Sequence, residues 1–223
     1  MNEITQWIFS NGISKEVLEI LIFIPIIATI INISRYIIGF KSFGIYAPVV
    51  LAISYHFTGL RYGLFITIVV AISSIIGYNI LKKVRMHYLS RIAVNYILSI
   101  IVLIISILAI QQIPFIGMNN FQVINPIAIV SIVALTDFFT KMYIKKNIMH
   151  TLRVLLETII IAIAGWILIS IPNIINLIVN NLWILIVVAI ANILIGSYSG
   201  LRFKEIFRFW SAVNYDNRDS KKN

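Results

Sequence analysis

Residues 62–110 read YGLFITIVVAISSIIGYNILKKVRMHYLSRIAVNYILSIIVLIISILAI, and this stretch decides the fold. Two apolar runs, Tyr62–Leu81 and Ile92–Ile110, lie on either side of a short basic connection. The cations of that connection are Lys82, Lys83, Arg85 and Arg91. A helix needs about 20 mostly apolar residues to cross the hydrocarbon core of a bilayer. Both runs meet this length, so the stretch predicts two membrane-spanning helices joined by a basic loop.

The composition extends this prediction to the whole chain. Of the 223 residues, 60% are hydrophobic and 12% are charged, and the mean hydropathy is +0.98. A soluble domain has about a quarter of its residues charged, so a soluble globular fold is excluded. The chain contains no Cys, which excludes disulfides, thiolate metal ligands and thiol catalysis. The predicted fold class is all-α, a polytopic helical bundle in a membrane.

Seven apolar segments predict seven transmembrane helices, of which the second and the fifth are short. The segments are Val17–Ile33, Phe43–Phe57, Tyr62–Leu81, Ile92–Ile110, Phe121–Thr136, Leu152–Ile171 and Leu182–Ile195. The predicted organisation is an outer interfacial segment at 1–16 that contains Trp7, a transmembrane domain at 17–196, and a basic cytoplasmic tail at 197–223. The Asn-rich connection Asn173–Asn181 is also expected at the interface. We expect no cleaved signal peptide, because no basic stretch precedes the first run.

The basic residues predict the orientation. With seven crossings, sixteen of the 18 Lys and Arg residues fall on one side, whereas Lys15 and Arg61 fall on the other. Positive charge in short loops stays cytoplasmic, which predicts an inner-membrane protein with its amino terminus outside. Six crossings, with Phe43–Phe57 re-entrant, give fifteen against three, and making Phe121–Thr136 re-entrant as well gives thirteen against five. The same asymmetry explains the net charge of +10, so nucleic acid is not an expected partner.

The two short segments share a pattern. Phe43 and Phe121 each stand five residues before a proline, Pro48 and Pro126, and three crossings separate the two copies. Short, proline-interrupted segments at matching positions in two halves indicate the site of an inverted-repeat transporter. The alternative is that proline is ordinary in a first helical turn. An inverted three-helix repeat is therefore one interpretation of the bundle.

Six residues form a substrate-binding hypothesis. Arg35 and Lys41 add positive charge near the start of the second helix, where Gly44 permits a turn and the free N–H groups of a helix start attract anions. Asn125 either satisfies a backbone group freed by Pro126 or contacts a polar substrate. The full set is Arg35, Lys41, Gly44, Pro48, Asn125 and Pro126. The alternative is that the two cations only anchor their loop to lipid headgroups.

Two further patterns predict structural contacts. Glu157 follows Arg153 by four residues, which predicts an ion pair on one helix face. Gly196 and Gly200 have the spacing of a close helix-packing face. The same spacing at 59–63 is expected to lie in a loop instead.

Enzyme signatures are missing from the sequence. His56, His87 and His150 are far apart and form no His-Glu-x-x-His arrangement. The Gly196–Gly200 stretch has Tyr198 where a nucleophile elbow requires a central nucleophile. We therefore expect no catalytic residue, no metal and no cofactor.

Residues 35–52, RYIIGFKSFGIYAPVVLA, and 196–209, GSYSGLRFKEIFRF, resemble a bacterial family of seven-helix membrane domains usually fused to an inactive transglutaminase-like domain. Gly63 and the stretch 91–93 continue the resemblance, whereas Asp137 stands where the family pattern implies Glu. Family members usually carry the transglutaminase-like domain before the helices on the outer side, and this chain starts directly at the bundle. An outer amino terminus is what such a fusion requires.

The resemblance also implies a context. It extends more distantly to the small membrane protein of capsular polyglutamate synthases, and it implies an association with amide ligases of the ATP-grasp type. The expected function is a transport or translocation component, or a membrane platform, beside such a ligase. The alternative is a non-transporting anchor or assembly component of a membrane biosynthetic complex such as polyglutamate capsule synthase, and an intramembrane enzyme ranks third. The expected partners are the lipid bilayer, a cytoplasmic ATP-grasp ligase and a second copy of the chain.

Overall fold

The computed structural model describes residues 3–112, 125–146 and 148–197, and every regular element in these ranges is a helix. The helices are α1 (Glu3–Ser10), α2 (Lys15–Ile33) with a π-helical continuation (Ser34–Ile38), α3 (Tyr46–Thr58), α4 (Leu60–Leu81), α5 (Tyr88–Gln111), α6 (Pro126–Ala134), α7 (Thr136–Lys145), α8 (Ile148–Ser170), α9 (Pro172–Asn180) and α10 (Ile184–Gly196). The chain divides into a terminal unit, Met1–Ser42 with Asn173–Asn223, and a central unit, Phe43–Pro172.

Each of the seven predicted segments coincides with a helix or a helix pair. Among the described residues, five helical segments are long and apolar enough to cross a membrane, and α9 with α10 makes a sixth candidate. The fifth prediction is displaced, because the segment runs from Pro126 to Ile144 and Phe121–Ile124 lies outside the described residues. Asp137 and Lys141 pair one turn apart within α7, which lets the helix continue past its apolar part.

The terminal unit joins the two ends of the chain. The hydroxyl of Thr5, on α1, donates to the carbonyl of Val179, on α9, at 3.0 Å. Asn32 Nδ2, near the end of α2, donates to Asn192 Oδ1, on α10, at 2.6 Å, and Asn192 Nδ2 donates to Thr29 Oγ1 at 2.6 Å. The starts of the two helix pairs α1–α2 and α9–α10 therefore meet, and so do their far ends. These two helix pairs run parallel.

This parallel arrangement determines whether α3 crosses the membrane. Because α1 and α9 are hydrogen-bonded to each other, they lie at the same membrane face, and an even number of crossings must separate them. Five long segments lie between them: α2, α4, α5, α6–α7 and α8. The sixth crossing must be α3, although its 13 residues span only about 20 Å at about 1.5 Å per residue. Seven crossings, and not six, fit this hydrogen bond.

The crossing by α3 can be tested with single cysteines, since the chain has none of its own. Ser10→Cys and Arg61→Cys are expected to react with an impermeant maleimide from the same side of the membrane, because α2 and α3 both cross between them. Lys83→Cys, after one more crossing, is expected to react from the opposite side. Labelling of Arg61→Cys and Ser10→Cys from opposite sides would show that α3 is re-entrant.

The central unit is packed around two glycines that the sequence did not single out as packing positions. An added Cβ on Gly63, in α4, would overlap the ring of Tyr55 and lie 2.8 Å from Thr58 Oγ1. An added Cβ on Gly77 would overlap Asn95 Oδ1 and lie 3.3 Å from Asn95 Cγ. Both positions therefore require the small size of glycine, because neighbouring helices approach closely there.

The described residues place no neighbouring helix over Gly196, the first residue of the predicted packing face, and the packing face stays a prediction. Gly196 is exposed at the end of α10, and an added Cβ would meet no described atom within 4 Å. Gly200 lies outside the described residues. The stretch at 59–63, predicted to lie in a loop, contains Gly63, which lies inside α4 and forms a close contact. Spacing alone does not tell whether a neighbouring helix lies over the glycines.

Candidate functional site

The two predicted cations lie in the terminal unit. Arg35 is exposed within the π-helical turn Ser34–Ile38, and Lys41 is exposed in the segment that follows. The turn ends at Gly39, whose φ of +91° lies in the left-handed region and whose N–H donates to the Ser34 carbonyl at 2.9 Å. A glycine that ends a helix in this way satisfies a carbonyl that has no partner within the helix.

Gly44 and Pro48 lie at the start of α3 in the central unit. Gly44 occupies a turn with a φ of +75° and open space around it, so its conformation and not its size requires glycine. Pro48 is buried in the first turn of α3, where the missing N–H costs little. The N–H of Phe43 donates to Thr158 Oγ1 at 3.2 Å and is therefore not free for an anion.

Asn125 and Pro126 begin α6. The side-chain oxygen of Asn125 accepts the N–H of Ile127 at 2.9 Å, which makes Asn125 the N-cap of the helix. Asn125 therefore bonds a backbone donor of the first turn, and not the carbonyl freed by proline that the sequence suggested. Pro126 is the first residue of the helix and is exposed.

The two proline-containing helix starts do not form one site. The rings of Phe43 and Phe139 lie 5.2 Å apart between centroids, and Tyr46 stacks on Phe138 at 6.3 Å. These contacts place the start of α3 beside α7, whereas Pro126 lies at the far end of α6. The pair α3 and α6–α7 is thus antiparallel. An inverted repeat would need this arrangement, and the repeat itself stays a prediction.

The ion pair between Arg153 and Glu157 stays a prediction. Among the described side chains, the same four-residue spacing gives ion pairs at Lys15–Glu19 and at Asp137–Lys141. On α8, Glu157 is buried with 7% of its surface exposed, whereas Arg153 is exposed. The two side chains lie in different environments, although their spacing would permit a contact.

The structure places polar side chains together where the sequence prediction had none, between α4, α5 and α7. Asn95, on α5, is 1% exposed, and its Nδ2 donates to the Ser74 carbonyl at 3.2 Å and to Thr140 Oγ1 at 2.8 Å. Thr140 in turn donates to the Thr136 carbonyl at 2.8 Å. One amide thus connects three helices in the interior of the central unit. Gly77 leaves the space that this amide occupies, because it has no side chain.

Two hydroxyls lie one helical turn beyond this amide. Ser99 follows Asn95 on α5, and Thr136 precedes Thr140 on α7, and both are 0% exposed. The two helices run in opposite directions, so these hydroxyls lie at the same level. Ser99 Oγ, Thr136 Oγ1 and Asn95 Oδ1 are buried without a hydrogen-bond partner among the described residues. Such unpaired groups are costly in an apolar interior unless water or a ligand binds them.

A second layer of polar contacts lies on the other side of Asn95. Tyr143 donates to Asn79 Oδ1 at 3.0 Å, and its ring meets that of Tyr78 edge-on at 5.6 Å. The guanidinium of Arg91 lies 5.9 Å from the centre of the Tyr78 ring. Arg91, Asn95 and Ser99 follow one another at four-residue intervals along α5. We call this series, with its partners on α4 and α7, the polar ladder.

The sequence contains a pattern that corresponds to the polar ladder. Ser74 and Tyr78, Asn95 and Ser99, and Thr136 and Thr140 are polar pairs four residues apart within apolar runs. This spacing puts the two members of each pair on one helix face. Polar residues of a membrane helix usually face the bundle interior. The pattern could therefore have indicated inward faces of three helices, but not which helices meet.

Beyond Arg91, the polar ladder consists of neutral hydroxyl and amide groups. It offers two hydroxyls, which can donate and accept, and one amide oxygen, which only accepts. Within the described ranges, no group of three His, Cys, Asp or Glu side chains is arranged to hold a metal ion. These groups can form hydrogen bonds with water or with a small polar molecule.

The all-helical architecture and its apolar spans define a polytopic integral membrane protein. Over residues 8–213 the sequence matches the family described as seven transmembrane helices usually fused to an inactive transglutaminase, and the chain belongs to this family. No curated protein and no solved structure matches the chain significantly.

Proposed function

We propose that this protein is a transport or translocation component of the inner membrane that moves a small polar or anionic species along the polar ladder. The observation that carries the proposal is the pair of buried hydroxyls, Ser99 and Thr136, that have no partner among the described residues. Buried hydroxyls without a protein partner are costly unless water or a ligand binds them, and a transport path would supply both.

The charge pattern supports entry of the transported species from the cytoplasmic end of the polar ladder. The ladder begins at Arg91, beside the basic connection between α4 and α5, and leads over eight residues of α5, about 12 Å at about 1.5 Å per residue, to Ser99. By the positive-inside rule this connection is cytoplasmic, with the amino terminus outside. A cytoplasmic anion would meet the cationic end first and the neutral oxygens afterwards.

The partner of this function is part of the same proposal. A cytoplasmic amide ligase of the ATP-grasp type, which the family resemblance implies, would deliver this species to the basic face as a small acidic peptide. The rival function is an anchor protein that only docks such a ligase. Exposed cations at Lys82, Lys83 and Arg85 would serve either role, so the two functions differ in whether the interior admits water.

Access of water to the ladder can be measured with one cysteine. Ser99→Cys is close in shape to the native residue and introduces the only thiol in the chain. In proteoliposomes, a small impermeant methanethiosulfonate is expected to modify it at least about tenfold faster than a thiol in a dry core, because only a hydrated thiol ionises readily.

Leu103→Cys is the matched control, since Leu103 is 4% exposed and lies one turn further along α5. It is expected to stay unmodified. Equal and negligible reaction of both variants would contradict transport through the ladder. Isolation of a stable ligase complex together with such an unreactive interior would favour the anchor.

A further inference from the structure

A basic pocket lies where α4 ends and α5 begins. It has a volume of about 440 Å³ and is lined by Arg85, Met86, His87 and Arg91. Ligand pockets commonly have volumes of about 300–1,000 Å³, so this one has room for a phosphate group with part of the molecule that carries it. Two of its four lining residues are guanidinium cations, and neither is used in the hydrogen bonds within the ladder.

Arg91, one of the residues that line the pocket, is held in place by two contacts. Its Nη2 donates to the Val84 carbonyl at 3.4 Å, and its guanidinium lies beside the Tyr78 ring. Its Nε is buried and has no hydrogen-bond partner among the described residues. A guanidinium fixed in this way keeps donors free without losing much conformational entropy on binding an acceptor.

The backbone adds to the positive electrostatic potential of the pocket. α5 is 24 residues long, and its N-cap residue, His87, makes no side-chain capping bond. The unpaired N–H groups and the positive dipole end of this helix therefore lie at the pocket that Arg85 and Arg91 line. The sequence has no acidic residue between Glu19 and Asp137. The carboxylate of Asp137 lies near the start of α5, where Tyr88 donates to it at 3.5 Å, but its charge is paired with Lys141.

We propose that this pocket binds a phosphate group through Arg85, His87 and Arg91. The phosphate is that of an anionic lipid headgroup or of a free phosphate compound, since both present the same oxygens to two guanidinium groups. Arg recognises such oxygens with short, charge-assisted hydrogen bonds. The site shares Arg91 with the polar ladder, but its binding of phosphate does not require transport, because an anchor protein would bind the same group.

The test compares two double variants of the full chain that remove the same charge. Arg85→Gln/Arg91→Gln changes the pocket lining, whereas Lys82→Gln/Lys83→Gln removes two cations of the same connection that do not line it. The probes are phosphatidylglycerol in phosphatidylcholine nanodiscs and inorganic phosphate at constant ionic strength. Binding is followed as lipid adducts by native mass spectrometry and as phosphate-dependent thermal stabilisation.

The pocket variant is expected to bind at least about tenfold more weakly for each guanidinium removed, whereas the lysine variant changes by no more than a few-fold. Retention of phosphatidylglycerol alone identifies a lipid site, and stabilisation by phosphate alone identifies a soluble ligand. Equal losses in both double variants, or no binding of either probe, would overturn the proposal. Should the double variant fail to fold, Arg85→Gln, at an exposed position, is expected to show the tenfold loss by itself.

Discussion

Replacing Gly77 with Ala is expected to lower the free energy of unfolding by about 1–3 kcal/mol, the usual cost of overpacking, and Gly77→Val is expected to prevent recovery of folded protein. The new Cβ overlaps Asn95 Oδ1 and lies 3.4 Å from Leu98 Cδ1. Asn95 cannot move aside freely, because its amide nitrogen is bound to the Ser74 carbonyl and to Thr140. Thermal unfolding in detergent measures the loss.

A double variant separates this clash from a general intolerance of α4 to substitution. In an Asn95→Ala background the added methyl group meets no amide, so Gly77→Ala should be neutral or stabilising by up to about 1 kcal/mol, the helix preference of Ala over Gly. The two substitutions are therefore expected to be strongly non-additive. Additive losses would show that the amide of Asn95 does not determine the requirement for glycine.

Gly63→Ala is expected to have a comparable effect between α3 and α4. Its Cβ would overlap the ring of Tyr55, which is 0% exposed and hydrogen-bonded to Thr67 at 3.0 Å. Since Thr58 Oγ1 also lies only 2.8 Å from the added Cβ, the ring and the hydroxyl would both have to move. We expect a loss of about 1–3 kcal/mol, measured as a lower thermal midpoint and a lower yield of monodisperse protein.

Gly196→Ala supplies the matched control for both glycines. Its position at the end of α10 is open, so the unfolding free energy should change by less than about 0.5 kcal/mol, as at ordinary surface sites. A loss at Gly196 as large as that at Gly63 would mean that these variants report a general intolerance of glycine replacement and not close packing, since helix propensity favours Ala over Gly.

Hydrophobic runs predicted the positions of the helices well, because a long apolar segment is most stable as a helix across the hydrocarbon core of the membrane. The ends of the fifth segment were less predictable. Asp137 and Lys141 look like loop residues in a hydropathy profile, yet their pairing keeps them helical. The inference that the short helix α3 crosses the membrane rests on a contact between Thr5 and Val179, and no local sequence pattern predicts that contact.

For the candidate site, the sequence predicted the kinds of residue involved but not which residues lie together. Arg35, Lys41 and Gly44 were singled out because charge and glycine stand out in an apolar sequence. Asn95 and Ser99 are ordinary polar residues until two other helices bring Thr140 and Thr136 beside them. Local rules predict which face of a helix is polar, but the partner of that face depends on tertiary packing.

The hydrogen bonds of the terminal unit have a consequence for biogenesis. Asn32 leaves the ribosome about 160 residues before its partner Asn192, a separation that the sequence distance of their hydrogen bond records. The central unit is synthesised as one uninterrupted stretch in between. Until α10 is synthesised, α2 must therefore stay in the insertion machinery or in lipid without this partner for the Asn32 amide. Nascent chains truncated before residue 192 should for this reason be substrates for membrane quality-control proteases.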